Sequence, residues 1–165
     1  MHTHTHTHMH FLSLSHTHTH THTRTRPHTH TGGVILITRA MRRLGKEVNL
    51  QLAAISALLV LTGSSTHRVG GGGGGGISEI AREIVAADGL QLVVAGMYMH
   101  AAHAGVQQQA CSLLLAMAEV CEECRGAMVG AGVREVVMAA IQCDVLCEMR
   151  ISLQCARNLL RLLLT

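Results

Sequence analysis

Two cysteine pairs have the clearest metal-ligating spacing in this sequence. Two residues separate Cys121 from Cys124, three separate Cys143 from Cys147, and 18 lie between the pairs. Four thiolates at such intervals are typical of a structural zinc site. The segment between the pairs, however, has the pattern of a short helix, a glycine and a second apolar helix, whereas zinc ribbons use hairpin knuckles. A zinc site is therefore the alternative hypothesis for this region.

Histidines dominate the start of the chain, where 11 of the 14 precede residue 32 and mostly alternate with threonine. Imidazoles two residues apart can chelate zinc, nickel or copper. The alternation has no hydrophobic face to bury on either a helical or a strand period, and translation of a CA dinucleotide repeat would also produce it. We expect residues 1–31 to form a disordered low-complexity tail, with metal chelation as its alternative function.

Catalytic constellations are not evident. His100 and His103 are three residues apart, but no carboxylate accompanies them at metalloprotease spacing and no nucleophile stands beside them. We expect both histidines in an exposed turn. Seven glycines at residues 70–76 lack the Lys-Ser/Thr that completes a phosphate-binding loop, so they predict a flexible insertion. The chain is expected to be neither an enzyme nor dependent on a cofactor.

Charge and composition exclude further classes of function. Residues 32–165 contain 11 basic and 10 acidic side chains, and Tyr98 is their one aromatic residue. A nucleic-acid binder needs a basic field and stacking platforms, so that class is disfavoured. The longest apolar stretch, at residues 50–61, is too short to span a bilayer. We expect an intracellular protein, cytoplasmic or alternatively nuclear, with its six cysteines reduced.

The elements that must position these residues recur along the chain. Three long-helix segments begin with Leu50, Val106 and Ile151, and each has a small residue at its fifth place and leucine at its ninth. Cys111 and Cys155 lie in this pattern at core places. A middle helix is predicted before each long one, at residues 34–44, 90–99 and 133–143, each after a glycine, Gly33, Gly89 and Gly132. Short helices are predicted at residues 81–88 and 124–131. Such periods predict an all-α chain of stacked units.

In this pattern the chain resembles the armadillo-repeat family, with HEAT repeats as the second choice. Residues 104–114 (AGVQQQACSLL) are similar to the start of that family's third helix, and the second short-helix phrase ends in Ala131-Gly132-Val133 in a similar way. The resemblance covers residues 32–165, in units of about 32–69, 77–119 and 121–165, with the first short helix missing. It implies a right-handed superhelical solenoid whose third helices line a concave groove that binds proteins.

The resemblance also implies which residues face that groove. They are Gln109, Ser112 and Ala116 in the second unit, Gln154, Arg157 and Arg161 in the third, and Ala53, Ser56 and Val60 in the first. The Trp and Asn with which importin-alpha-like arrays hold basic peptides are absent from these places. Arg157 and Arg161, one helical turn apart, predict instead an acidic partner, although a solvated helix face would look the same.

The last helix is unusually apolar for a chain terminus. Five of the six residues at 159–164 are leucine, whereas terminal repeats normally present a polar outer face. Self-association through this uncapped end is one expectation. Another is that the chain is a fragment of a larger array without an independent function. The leading hypothesis is a non-catalytic scaffold for protein–protein interaction.

Overall fold

The computed structural model describes residues 30–63, 75–143 and 150–164. All regular structure in these ranges is helical, which confirms the predicted all-α class. The helices are α1 His30–Arg43, α2 Val48–Leu61, α3 Gly75–Ala86, α4 Gly89–Met99, α5 Ala104–Val120, α6 Glu122–Gly130, α7 Val133–Gln142 and α8 Arg150–Leu162.

Two of the boundaries that differ from the expected ones place glycines inside helices. The first helix begins at His30, inside the expected tail, so Gly33 lies within α1 instead of preceding it. The third helix begins at Gly75, so the last two glycines of the expected loop are helical. The remaining parts of those predictions, residues 1–29 and 70–74, lie outside the described residues. Helix ends are the least determined part of a periodic pattern, because terminal turns have intrahelical hydrogen bonds on one side only.

Helix contacts recur at a fixed spacing along the chain. The most extensive contacts are those of α5 with α2 on one side and with α8 on the other. In the same way α4 contacts both α1 and α7, and α3 contacts α6. Each of these helices therefore packs against the helix three places earlier or later. No described helix has both the length and the apolar character needed to cross a membrane.

The core is aliphatic. Leu58, Leu114 and Leu159, at the ninth place of the three long-helix segments, are fully buried. Val34, Leu90 and Val133, early in the middle helices, are buried as well. Fully burying a side chain of this size contributes roughly 1.5–3 kcal/mol to folding. Tyr98 is exposed, so the described core contains no aromatic side chain.

Buried glutamines connect two of the middle helices to the long helices that follow them. The Gln51 Nε2 donates to the carbonyl oxygen of Met41 at 3.0 Å, and the Gln107 Nε2 donates to that of Met97 at 2.8 Å. Both carbonyls belong to the last turn of a helix, where intrahelical donors run out. Ser152 occupies the corresponding second place of its long-helix segment, and its buried hydroxyl has no partner among the described residues.

Candidate binding surface

The predicted groove residues on α8 are accessible. Gln154, Arg157 and Arg161 are all exposed, and the Gln154 Nε2 donates to the Oδ1 of Asn158 at 2.9 Å. The two ion pairs found in the described part of the chain join Arg42 to Asp88 and Arg82 to Glu123. Neither Arg157 nor Arg161 takes part in them. These guanidinium groups are thus solvated charges with free hydrogen-bond donors.

The predicted residues on α2 and α5 are less uniform. Ala53 and Val60 are exposed on α2, and Ser56 is half-buried. On α5, Gln109 and Ser112 are half-buried, but Ala116 is only 6% exposed. It is therefore the least accessible of the predicted groove residues. Helix α5 contacts both α2 and α8, and most of its buried residues are aliphatic.

The cysteines differ most from expectation. Cys121 and Cys124 are joined by a disulfide, so the prediction that all six cysteines are reduced thiols is wrong. Both residues are buried. Cys143 follows α7 and is a free, exposed thiol, whereas Cys147 lies outside the described residues. The structure therefore brings together one of the two pairs of the zinc hypothesis, as a disulfide. In the described ranges, no cluster of three or more His, Cys, Asp or Glu residues is placed to hold a metal ion.

The long helices carry two further cysteines, Cys111 on α5 and Cys155 on α8. Cys111 is fully buried, which confirms its expected place in the core, and Cys155 is half-buried. Burial, assisted by the nearby Cys155, raises the pKa of the Cys111 thiol to about 12. A thiol that stays protonated at neutral pH is a poor nucleophile and metal ligand, so Cys111 behaves as a small apolar side chain.

His100 and His103 lie at the two ends of the turn between α4 and α5. The turn between them is exposed at residues 101–102, as expected, whereas the two histidines themselves are half-buried. The His100 Nε2 lies 2.9 Å from the carbonyl oxygen of Gly45, which can only accept a hydrogen bond. The His103 Nδ1 accepts from the backbone N–H of Val106 at 3.2 Å and so caps α5. Backbone contacts therefore occupy one nitrogen of each ring, which gives both histidines a structural role.

Sequence reasoning missed the buried glutamines and the disulfide. The signals were present, because Gln51 and Gln107 both stand at the second place of their long-helix segments. Cys121 and Cys124 form a C-x-x-C motif at the start of a predicted helix, a pattern known for redox chemistry.

Comparisons with known proteins give no match for this chain: no protein-family model, no curated protein and no solved structure. A functional assignment therefore has to be argued from the chain's own residues and their geometry.

Proposed function

We propose that this chain is a non-catalytic, intracellular scaffold, cytoplasmic in its main location, that binds a protein partner. In this proposal its helices form an armadillo-like right-handed array of about three units. The long helices α2, α5 and α8 line the binding groove, and the third unit selects an acidic segment. The observation that supports this proposal most directly is that Arg157 and Arg161 are both exposed on α8. This helix packs against α5 in the same way as α5 packs against α2.

Equivalent burial in the long helices supports the array. Ile55, Cys111 and Ala156 share the sixth place of the segments that begin at Leu50, Val106 and Ile151, and each is 0% exposed. The recurring contacts of α2 with α5, α5 with α8, α1 with α4 and α4 with α7 are those that stacked units would make. In such an array each unit depends on its neighbours to bury its apolar side. The outward side chains of the long helices are then free to vary and to select a ligand.

Charge supports an acidic partner. Helix α8 (RISLQCARNLLRL) contains three arginines and no acidic residue. Side chains four residues apart on a helix lie roughly 5–6 Å from each other at their Cβ atoms. Alternate side chains of an extended peptide are separated by about 6.6 Å, so two carboxylates could each meet one guanidinium. Bidentate arginine–carboxylate pairs are among the stronger charged hydrogen bonds.

The test reverses the charge of this surface. The full chain is immobilised, captured lysate proteins are quantified by mass spectrometry, and an acidic segment of a captured protein is titrated by fluorescence anisotropy. We expect Arg157→Glu/Arg161→Glu to weaken that segment's affinity by about tenfold or more, since like charges replace attraction, and the wild-type affinity to fall with added salt.

Arg134 provides the matched control, because it is an exposed arginine on α7, outside the proposed groove. Arg134→Glu should leave the affinity unchanged, and far-UV circular dichroism should show that both variants keep their helices. Equal affinities of the double variant and the wild type would exclude this surface as the binding site.

A further inference from the structure

The Cys121–Cys124 disulfide closes the junction between two helices. Helix α5 ends at Val120 and α6 begins at Glu122, so Cys121 alone connects them, in an extended conformation with φ −141° and ψ 100°. The Cys121 Sγ also accepts the backbone N–H of Cys124 at 3.2 Å, which makes it the N-cap of α6. The disulfide therefore ties the first turn of α6 to the end of α5.

A cavity lies beside this disulfide. Although Cys121 and Cys124 are 3% and 2% exposed, Cys124 lines an apolar cavity of about 200 Å³ between α3 and α6. Val85 and Ala86 of α3 line it too, together with an exposed ion pair in which the Arg82 Nε lies 2.7 Å from the Glu123 Oε2. Cys124 is thus the member of the pair that borders a space large enough for a small thiol.

We propose that Cys121 and Cys124 form a reversible thiol–disulfide exchange site that takes a dithiol reductant and controls the α5–α6 junction. Nothing in this site depends on the proposed binding groove. A C-x-x-C pair at the start of a helix has the spacing and the location in which thiolates are most readily stabilised.

The exchange balances as two successive displacements. A thiolate of the reductant attacks the Cys124 sulfur from the cavity, the bond to Cys121 breaks, and its electron pair leaves with the Cys121 sulfur as a thiolate. The second thiol of the reductant, as a thiolate, then attacks its own sulfur in the mixed disulfide and releases Cys124. Two electrons and two protons pass to the protein pair, and the reductant becomes a disulfide.

The position of Cys121 favours the first displacement. Its sulfur is the leaving group, and the Cys124 N–H already points at it from the first turn of α6. The positive end of the helix dipole stabilises an anion at this place. Once the bond is broken, Cys121 can still cap α6, but the covalent tie across the first turn is lost.

The first experiment follows the pair in the folded, full-length chain. The protein is equilibrated in glutathione buffers of stepped potential and with dithiothreitol, quenched with acid, and mapped by differential alkylation and mass spectrometry. We expect Cys121 and Cys124 to change state together while circular dichroism stays helical. On reduction, amide exchange in the first turn of α6 should accelerate about tenfold, because a local constraint is removed.

Two variants sharpen this experiment. Cys121→Ser/Cys124→Ser retains an N-cap oxygen. Its amide hydrogens in the first turn of α6 should therefore exchange as fast as those of the reduced wild type, with or without dithiothreitol. Cys143→Ser, which removes an exposed thiol elsewhere, should keep the wild-type response. The proposal is overturned if the pair stays reduced in oxidised glutathione or if the disulfide is reduced only after the chain unfolds. It is also overturned if the amide hydrogens of α6 exchange at equal rates in the oxidised and reduced forms.

The access route has its own test. Ala86→Leu places a larger side chain in the cavity that Cys124 lines, and we expect dithiothreitol to reduce the native disulfide about tenfold more slowly, since exchange depends on access. Ala95→Leu, at an exposed place on α4, should leave this rate unchanged. An unaltered rate in Ala86→Leu would contradict attack through the cavity.

Discussion

At the scale of single residues, the two glutamines are the largest polar side chains buried in the aliphatic core among the described residues. Gln51 and Gln107 are each 1% exposed, and an amide placed there is unfavourable unless it forms hydrogen bonds. Each Nε2 donates to carbonyl oxygens at the end of a middle helix, whereas each Oε1 lacks a partner. Each glutamine therefore contributes a hydrogen bond from the start of a long helix to the end of the middle helix before it. This bond fixes the position of the long helix relative to the middle one.

Removing that donation should destabilise the fold. Gln107→Leu keeps a side chain of similar length but leaves the Met97 carbonyl without its donor at 2.8 Å. We expect the free energy of unfolding to fall by about 1–3 kcal/mol, the range for a buried polar group that loses its partner. Urea denaturation followed by far-UV circular dichroism measures this.

Gln109→Leu is the control for that substitution, because Gln109 is half-buried on the same helix. Its effect should stay within about 0.5 kcal/mol, as for most surface substitutions. If the two variants unfold at the same urea concentration, the hydrogen bond of Gln107 is not a stabilising contact.

At the scale of helices, three glycines that look equivalent in sequence have different roles. Gly33 lies inside α1, where an added Cβ would meet nothing closer than Leu61 Cδ1 at 4.0 Å. Gly89 begins α4, and a Cβ there would lie 2.7 Å from the Ile84 carbonyl oxygen. Gly132 precedes α7 with φ +75°, a left-handed conformation that strains any other residue. Only the last two therefore need glycine.

Alanine substitutions should separate these roles. Gly132→Ala should lower the free energy of unfolding by about 1–2 kcal/mol, the penalty of the left-handed region. Gly89→Ala should also lower the free energy of unfolding, because the new Cβ would lie 2.7 Å from the Ile84 carbonyl oxygen, and a backbone atom cannot move aside as a side chain can. Gly33→Ala should raise it by about 0.5–1 kcal/mol, since alanine is the better helix former. Thermal unfolding of the three variants measures all three signs. A loss of stability in Gly33→Ala would contradict the helical placement of that residue.

The sequence pattern predicted the helices better than the contacts between them. Aliphatic spacing reports which side of a helix is buried, so the leucines at 58, 114 and 159 could be predicted as core residues. Spacing does not report the distance between side chains on different elements or across a turn. The Cys121–Cys124 disulfide and the carbonyl partners of Gln107 depend on such distances. Burial of Ala116 was missed for the same reason, because it depends on how closely α2 and α8 flank α5.

At the scale of the whole molecule, exposed apolar side chains lie on the first described helix and just after the last one. Ile35 and Leu36 are exposed on α1, and Leu164 is exposed just after α8. Leu160 and Leu163, beside it, pack only partly into the core. Exposed apolar side chains that lie together are typical of surfaces that a second molecule covers. The leucine-rich C-terminal end is the stronger candidate for such a contact.

We therefore predict that the chain self-associates through this end. Sedimentation equilibrium of the full chain should show a concentration-dependent dimer, and Leu164→Lys should weaken it about tenfold or more, because burying one leucine contributes roughly 1.5–3 kcal/mol. Leu36→Lys is closely matched, since the two leucines are 67% and 66% exposed at positions 36 and 164. That control should leave the dimer intact, because its charge lies on α1. A dimer lost equally in both variants would place the contact elsewhere, and a monomer at every concentration would exclude it.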